Sequence, residues 1–345
     1  MSRAALRPPL KVIQMVEYVK NRSEIVFLYD VKDANPNGDP LDENRPRIDE
    51  ETGINLVTDV RLKRTIRDYL HNFKDEEIFV REIEYGDGYI QDAKLRAEDF
   101  LPPDTRIPAG LNEKKKAIDE GVLNACIDVR LFGATIPISA AKSAKGADEA
   151  KKGSITHTGP VQFKIGRSMH KVHVKHFRGT GAFASGKGAT QKTFREEDFL
   201  PYSLINFYGI INENVAPETQ LTERDVDALM DAMWNGTKNL ISRSKAGQVP
   251  RLLVKVNYGA RNYHIGDLNS GIKLVSELED EVIRDISEVQ LDVDEFIAAL
   301  RQHKETIESV QYEVDPKVRL RFKGAEMTFE ECLEKAGVTY SAFSF

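Results

Sequence analysis

Ten basic side chains fall between residues 150 and 195 with no Asp or Glu among them: Lys151, Lys152, Lys164, Arg167, Lys171, Lys175, Arg178, Lys187, Lys192 and Arg195. Ammonium and guanidinium groups in such a run can hold the phosphates of a polyanion. A second basic group, Arg61, Lys63, Arg64 and Arg67, is spaced for one helix. Cations in a first helical turn oppose the macrodipole, at a cost of a few tenths of a kcal/mol each. A helix selected for stability alone would carry Glu there, so these residues point to an anion outside the protein. Arg243 and Lys245 follow a second helix and could close the grip.

The charge split supports this. The acid-free window is +10, whereas the other residues hold 39 basic and 55 acidic side chains, a balance of −16 within a chain of net charge −6. One basic face on an acidic body suits a polyanion partner and limits adhesion elsewhere.

Three near-matches to other chemistry fail on detail. Residues 33–39 resemble the front of a calcium loop, but its twelfth place is Asn44, where a bidentate Glu is needed. Residues 181–187 resemble the front of a phosphate-binding loop, but Gly188 stands where a magnesium-holding hydroxyl belongs. His170, His173 and His176 alternate across a predicted strand and cannot converge on a metal without a bend. No metal, cofactor or catalytic set is read from spacing.

The elements that must position the cations follow from periodicity. Residues 24–32 read as a strand, followed by more than twenty residues dense in Asn, Pro, Gly and Asp. A helix is predicted over 58–71, capped by Thr58 or Asp59, with Leu62, Ile66, Tyr69 and Leu70 as its apolar stripe. Further strands are expected at 77–85, 160–177, 202–211, 249–258 and 318–322, and further helices at 112–125, 222–240 and 293–307. Lys114, Lys115 and Lys116 are expected on an exposed face, residues 140–153 and 179–190 as mobile stretches. The order is a heavily interrupted βαββαβ, an α+β plan of ferredoxin-like or RNA-recognition-motif-like type.

Composition agrees with a soluble globular protein: 41% apolar and 30% charged residues, with no apolar run long enough to span a bilayer. Residues 1–20 do not read as a signal peptide, and Cys126 and Cys332 fit a reducing, cytoplasmic setting.

Three signatures taken together resemble one family. The first is Asn35-Pro-Asn-Gly-Asp-Pro40, then 44–49 (NRPRID) and 56–67 (LVTDVRLKRTIR). The second is 128–133 (DVRLFG), then 158–163 (TGPVQF) and Gly166-Arg-Ser168. The third is 209–212 (GIIN), then Arg243-Ser-Lys245 and Pro250-Arg251. In this order they are similar to the CRISPR-associated protein seven family, the backbone subunit of type I CRISPR effector complexes (Cascade), with a subtype I-B-like pattern and I-C as a near relative.

That resemblance implies an RNA-recognition-motif-like palm over 21–260, preceded by a tail at 1–20. It places a finger-like insertion at 73–158, a thumb hairpin at 177–200, and a C-terminal extension over 261–345 packing on the palm. It implies a non-catalytic subunit that binds crRNA, polymerises with further copies of itself beside other Cascade subunits, and presents the guide to target DNA. Carried onto this sequence, the RNA contacts are Arg61, Lys63, Arg64, Arg67, Gln162, Lys164, Arg167, Ser168, Lys171, Lys175, Arg178, Phe183, Lys187, Lys192, Arg243 and Lys245. Lys63 and Arg64 rank highest, Phe183 and Phe194 could wedge against a base, and Gln162 and Arg251 also have a structural reading. The rival readings are a metal-dependent ribonuclease of the type III-like backbone kind, using Asp39, Asp42 or Asp49, and a general single-stranded RNA-binding protein.

Overall fold

A computed structural model describes residues 17–84, 86, 88–102, 111–139, 152–184 and 192–345. Strand β1 (Ser23–Ala34) runs through the centre of a mixed sheet, buried along almost its whole length. In chain order the other elements around it are β2 (Ile54–Val57), α1 (Asp59–Lys74), β3 (Val161–Phe163), β4 (Gly166–Lys171), β5 (Lys175–Ala184), β6 (Lys192–Ile211), α2 (Glu223–Lys238) and β7 (Val249–Tyr258). β8 (Ile307–Val314) and β9 (Tyr340–Ala342) extend the sheet at one edge, and the two-residue strand Ile48–Asp49 pairs with β2 at the other. Its order is β9-β8-β7-β1-β6-β4-β2, with β3 and β5 also pairing β6. β1 is antiparallel to both neighbours, from Ser23 opposite Ile211 on one side to Ser23 opposite Asn257 on the other.

Alternation along β1 divides the core in two. Ile25, Phe27, Tyr29 and Val31 face α1 and α2. Val26 and Leu28 face the C-terminal residues, where Phe296, Ile297, Leu300 and Phe329 form a second cluster. Both faces of the sheet are therefore covered, one by helices and one by the C-terminal residues. The extension also lengthens the sheet, because β8 pairs β7 from Leu252 opposite Val314 onward.

Local chemistry explains the helices. Thr58 caps α1 by accepting from the Arg61 amide, and Leu62, Ile66, Tyr69 and Leu70 form its buried stripe. α2 starts with a reciprocal capping box between Thr222 and Asp225. A third buried cluster, containing Phe79, Ile118, Val122, Val129 and Ile136, lies within residues 79–138 and gives that segment a core of its own. No helix among the described residues is long and apolar enough to cross a membrane.

Several expectations need correction. Of the strand expected at 77–85, the described residues 77–84 make only isolated bridges at Glu77 and Glu84. The Phe79 and Val80 amides donate instead to the Asp128 carboxylate, at 2.8 and 3.2 Å. The span 160–177 divides into β3, β4 and the start of β5, because residues 172–174 leave the ladder. The strand expected at 202–211 begins ten residues earlier and forms the long arm of the β5–β6 hairpin. The helix expected over 293–307 is Asp294–Gln302 and gives way to β8. Lys114, expected on an exposed face, is buried and reaches Glu98 at 2.5 Å, at the end of a short helix, Ala93–Glu98.

Candidate nucleic-acid interface

The Asn- and Pro-rich segment after β1 is a knot of specific bonds. Asn35 is buried, its amide donates to Ser244 O at 2.9 Å, and its side chain donates to Asn44 O at 2.7 Å. Asn37 Oδ1 accepts from both the amide and the hydroxyl of Thr58, at 2.8 and 2.9 Å, and so fixes the start of α1. Gly38 is packed so closely that a Cβ there would sit 2.1 Å from Asn44 Oδ1. The knot therefore clamps the first turn of α1 to the turn at 242–246.

Two cations meet at that clamp. Lys245 Nζ donates to Asn35 O at 2.5 Å. Arg61 donates through Nη2 to Thr65 Oγ1 at 3.0 Å, while its buried Nε has no hydrogen-bond partner among the described residues. Neither has a carboxylate within ion-pair distance among those residues. Asn35 Oδ1 is also buried and unpartnered. Burial, reinforced by the Arg61 charge, pushes the Lys245 ammonium down to about 8. Burial likewise lowers Arg61.

The other cations of α1 point elsewhere. Lys63 pairs with Asp59 at 3.0 Å and Arg67 with Asp128 at 2.8 Å, and both lie over the Phe132 ring. Asp128 is fully buried, so the Arg67 pair ties α1 to the segment 77–132. Arg64 is exposed and pairs with Asp68 at 2.7 Å. The helix thus splits its basic residues, with only Arg61 joining Lys245.

On the sheet, Arg167 is exposed, 3.5 Å from Asp49. Lys164 lies 5.2 Å over the Tyr208 ring and 4.0 Å from Asp267. Lys171 and Lys175 are exposed, with no ion pair among the described residues. Gln162 is exposed and donates to Gly159 O at 2.8 Å. Ser168 is buried, accepting from the Asn55 amide and donating to His170 O, which makes it part of the fold. Phe183 and Lys192 carry backbone positions in the hairpin, but their side chains, that of Phe194 and all of Lys187 lie outside the described residues.

The acid-free stretch is answered in space by the acids that follow it. The hairpin register sets Arg178 opposite Glu196, with an ion pair of 2.8 Å, and His176 opposite Asp198, with Nδ1 2.9 Å from Oδ1. Arg243 grips Glu197 through both Nε and Nη2, at 2.9 and 2.8 Å. His170 is buried and bonded to backbone carbonyls, so the three histidines do not converge. Arg251 bridges Asp30 and Asp315 at 2.8 Å each, in keeping with its structural reading.

With this geometry in place, the likeness to known proteins is specific. The family model described as CRISPR-associated protein Cas7 matches residues 21–294. The chain belongs to the CRISPR-associated protein Cas7 family. A curated relative, CRISPR-associated protein Cas7 of Haloferax volcanii, is 34% identical over 315 residues, covering 87% of this chain and 88% of its own. Two solved chains, described as "CRISPR RNA-guided surveillance complex, pre-nicking" and "CRISPR RNA-guided surveillance complex", are 11% and 12% identical. Their TM-scores are 0.47 and 0.45, and they cover 92% of this chain and 99% and 98% of their own.

In this Cas7-family chain the Asn/Pro/Gly signature builds the clamp. Asn35 and Asn37 are the residues that place Arg61 and Lys245. The sequence flagged their loop by its length, but the partners they choose, Ser244 and Thr58, are distant or ordinary in the chain. Asn206 and Asn269 were missed altogether. Each carries an unpartnered buried amide oxygen, and an isolated Asn gives no sequence signal.

Proposed function

We propose that this Cas7-family chain is the non-catalytic guide-RNA-binding backbone subunit of a type I, I-B-like CRISPR effector complex. It polymerises with further copies along the crRNA spacer, beside other Cascade subunits in the cytoplasm, and leaves the bases to pair with target DNA. The observation that carries this is the pair Arg61 and Lys245, two partly buried cations with no carboxylate within ion-pair distance among the described residues. In the free protein such a pair is unfavourable, and a phosphate between them removes the conflict. A neighbouring ribose hydroxyl could donate to Asn35 Oδ1, a contact that distinguishes RNA from DNA.

Other features fit. The core order β7-β1-β6-β4, all antiparallel with α1 and α2 on one face, supports an RNA-recognition-motif-like palm. The segment 73–158 serves as the finger and the β5–β6 hairpin as the thumb. Because the extension covers the second sheet face, bases cannot stack on that face; the grip falls at the clamp and on the exposed cations Arg167, Lys171 and Lys175. A subunit that must hold any guide needs phosphate and sugar contacts rather than base readout.

The ribonuclease alternative finds less support. Asp39 is held by Arg47 at 2.7 Å and Asp49 accepts from Arg167 at 3.5 Å, while Asp42 lies 4.0 Å from Arg45. These carboxylates do not gather into a metal-holding cluster among the described residues.

The test is native purification after co-expression with a CRISPR array, followed by extraction and sequencing of bound nucleic acid. RNA of uniform length with a repeat-derived end is expected. Mixed cellular RNA would favour a general RNA-binding protein, and Mg²⁺-dependent cleavage of complementary RNA by the assembled complex would favour the enzyme.

A further inference from the structure

Strand β9 is the last strand at its end of the sheet, and its outer side is open. It runs parallel to β8, with Ser341 opposite Gln311. Thr339 O accepts from the Val310 amide at 2.8 Å, and the Phe343 amide donates to Tyr312 O at 2.9 Å. Residues 339, 341 and 343 therefore turn their peptide groups toward β8, and Tyr340 and Ala342 turn theirs to the open side. Edge strands are normally blunted by charge, proline or a bulge. Residues 338–345 (VTYSAFSF) hold no charged residue and no proline, and Ser341 and Ala342 are exposed. A cleft meets this edge on each face of the sheet. On the face of the second cluster, a space of about 600 Å³ reaches Ala342 over Tyr312, Met327 and Phe329. Glu326, Glu330 and Glu331 rim it, and none has a basic side chain within ion-pair distance among the described residues. On the helix face, a space of about 610 Å³ lies beside Ala342, Phe343 and Phe345. There Lys74 pairs with Asp231 at 2.5 Å and Arg224 with Glu76 at 3.6 Å, while the stacked rings of Phe343 and Phe345 stay open to contact, Phe345 being 46% exposed.

We propose that this edge binds an extended segment of a different protein chain, added as a further strand beside β9. The backbone of that segment pairs with Tyr340 and Ala342, and its side chains alternate between the two clefts. The clefts set the pattern. Lys or Arg faces Glu326, Glu330 and Glu331, with its alkyl stem over Tyr312 and Met327, and apolar residues at the intervening positions meet Phe343 and Phe345. A second copy pairing edge to edge would bring the uncharged residues 338–345 and leave those three carboxylates unanswered. The site does not depend on the RNA-binding reading. Arg167 and Lys171 lie on β4, toward the other end of the sheet, so the segment and a nucleic acid draw on different residues.

The test adds two acetylated, amidated peptides to the full chain, Lys-Val-Lys-Val-Lys-Val-Lys and Glu-Val-Glu-Val-Glu-Val-Glu. The basic peptide should bind and slow hydrogen exchange at the Tyr340 and Ala342 amides, and the acidic peptide should do neither. Ala342→Pro removes an outward N–H and no bond to β8, and should weaken binding of the basic peptide about tenfold, the upper worth of one hydrogen bond. Glu330→Gln keeps an oxygen that can accept from the Tyr312 hydroxyl, and should weaken binding about threefold and flatten its salt dependence. Both variants should melt as the wild-type protein does. No binding of the basic peptide, equal binding of the acidic one, or unchanged binding in both variants overturns the proposal. Protection of the same two amides by self-association, without peptide, would give the edge to a second copy and overturn it as well.

Discussion

Lys245 gives its ammonium to the backbone carbonyl of Asn35 at 2.5 Å, where burial first and the Arg61 guanidinium second depress its proton affinity. This relationship joins residues from the first loop, the first helix and the turn after the second. It also places like charges together where solvation is poor, which a fold tolerates when something else is to fill the gap.

The first prediction concerns pH. The folded Lys245 titrates at about 8, against an ordinary value of 10.5. Between those values the unfolded chain holds more protons, so stability of the free protein should rise as pH climbs from about 8 to 10.5. RNA binding needs the ammonium, so its affinity should fall between pH 7 and 9. Titrating RNA at both pH values should show a loss in wild-type protein that is absent in Lys245→Gln. An equal loss in both would dissociate Lys245 from the phosphate.

A second prediction separates two neighbouring arginines. Arg67→Ala leaves the fully buried Asp128 carboxylate without its guanidinium, and removing one partner of such a pair costs about 3–5 kcal/mol. Thermal unfolding should therefore drop by many degrees. Arg64→Ala breaks an exposed pair and should change stability by less than about 1 kcal/mol. Equal melting of the two variants would contradict the assignment of Arg67 to the fold.

A third prediction concerns the acids across the hairpin. Glu197 holds the Arg243 fork and competes with any phosphate for it. Glu197→Gln should release the guanidinium, tighten RNA binding severalfold and steepen its salt dependence. Filter binding over a salt series measures this. Weaker binding would mean that the Arg243–Glu197 pair itself shapes the RNA-binding surface.

Much of the fold was legible because it is local. The apolar stripe and Thr58 cap of α1, the capping box of α2 and the whole of β7 depend on residues within one element. What failed depended on distant partners. Residues 77–85 have a strand's composition, but the Phe79 and Val80 amides are claimed by Asp128 some fifty residues on, and among the described residues 77–84 only isolated bridges form. Lys63 and Arg64 rank highest by resemblance, yet they lie on different sides of the helix: Lys63 shares a side with Arg67, four residues on, and Arg64 with Arg61. Phe132 and Asp128 draw Lys63 and Arg67 to their side, and only the fold shows which partners wait there. The charge asymmetry was correct as arithmetic, yet Glu196, Glu197 and Asp198 begin one residue past the window and fold back onto it or its neighbours. The clamp was visible as a motif but not as geometry.

The most direct test of the central claim is the salt dependence of single-stranded RNA affinity for wild-type protein and for the double variant Arg61→Gln/Lys245→Gln. Each lost phosphate contact on a single strand removes about 0.7 from the slope of log affinity against log salt. The account predicts weaker binding with a slope shallower by about 1.4, at unchanged or increased thermal stability, since two like charges have been removed. An unchanged slope in a folded double variant would contradict it.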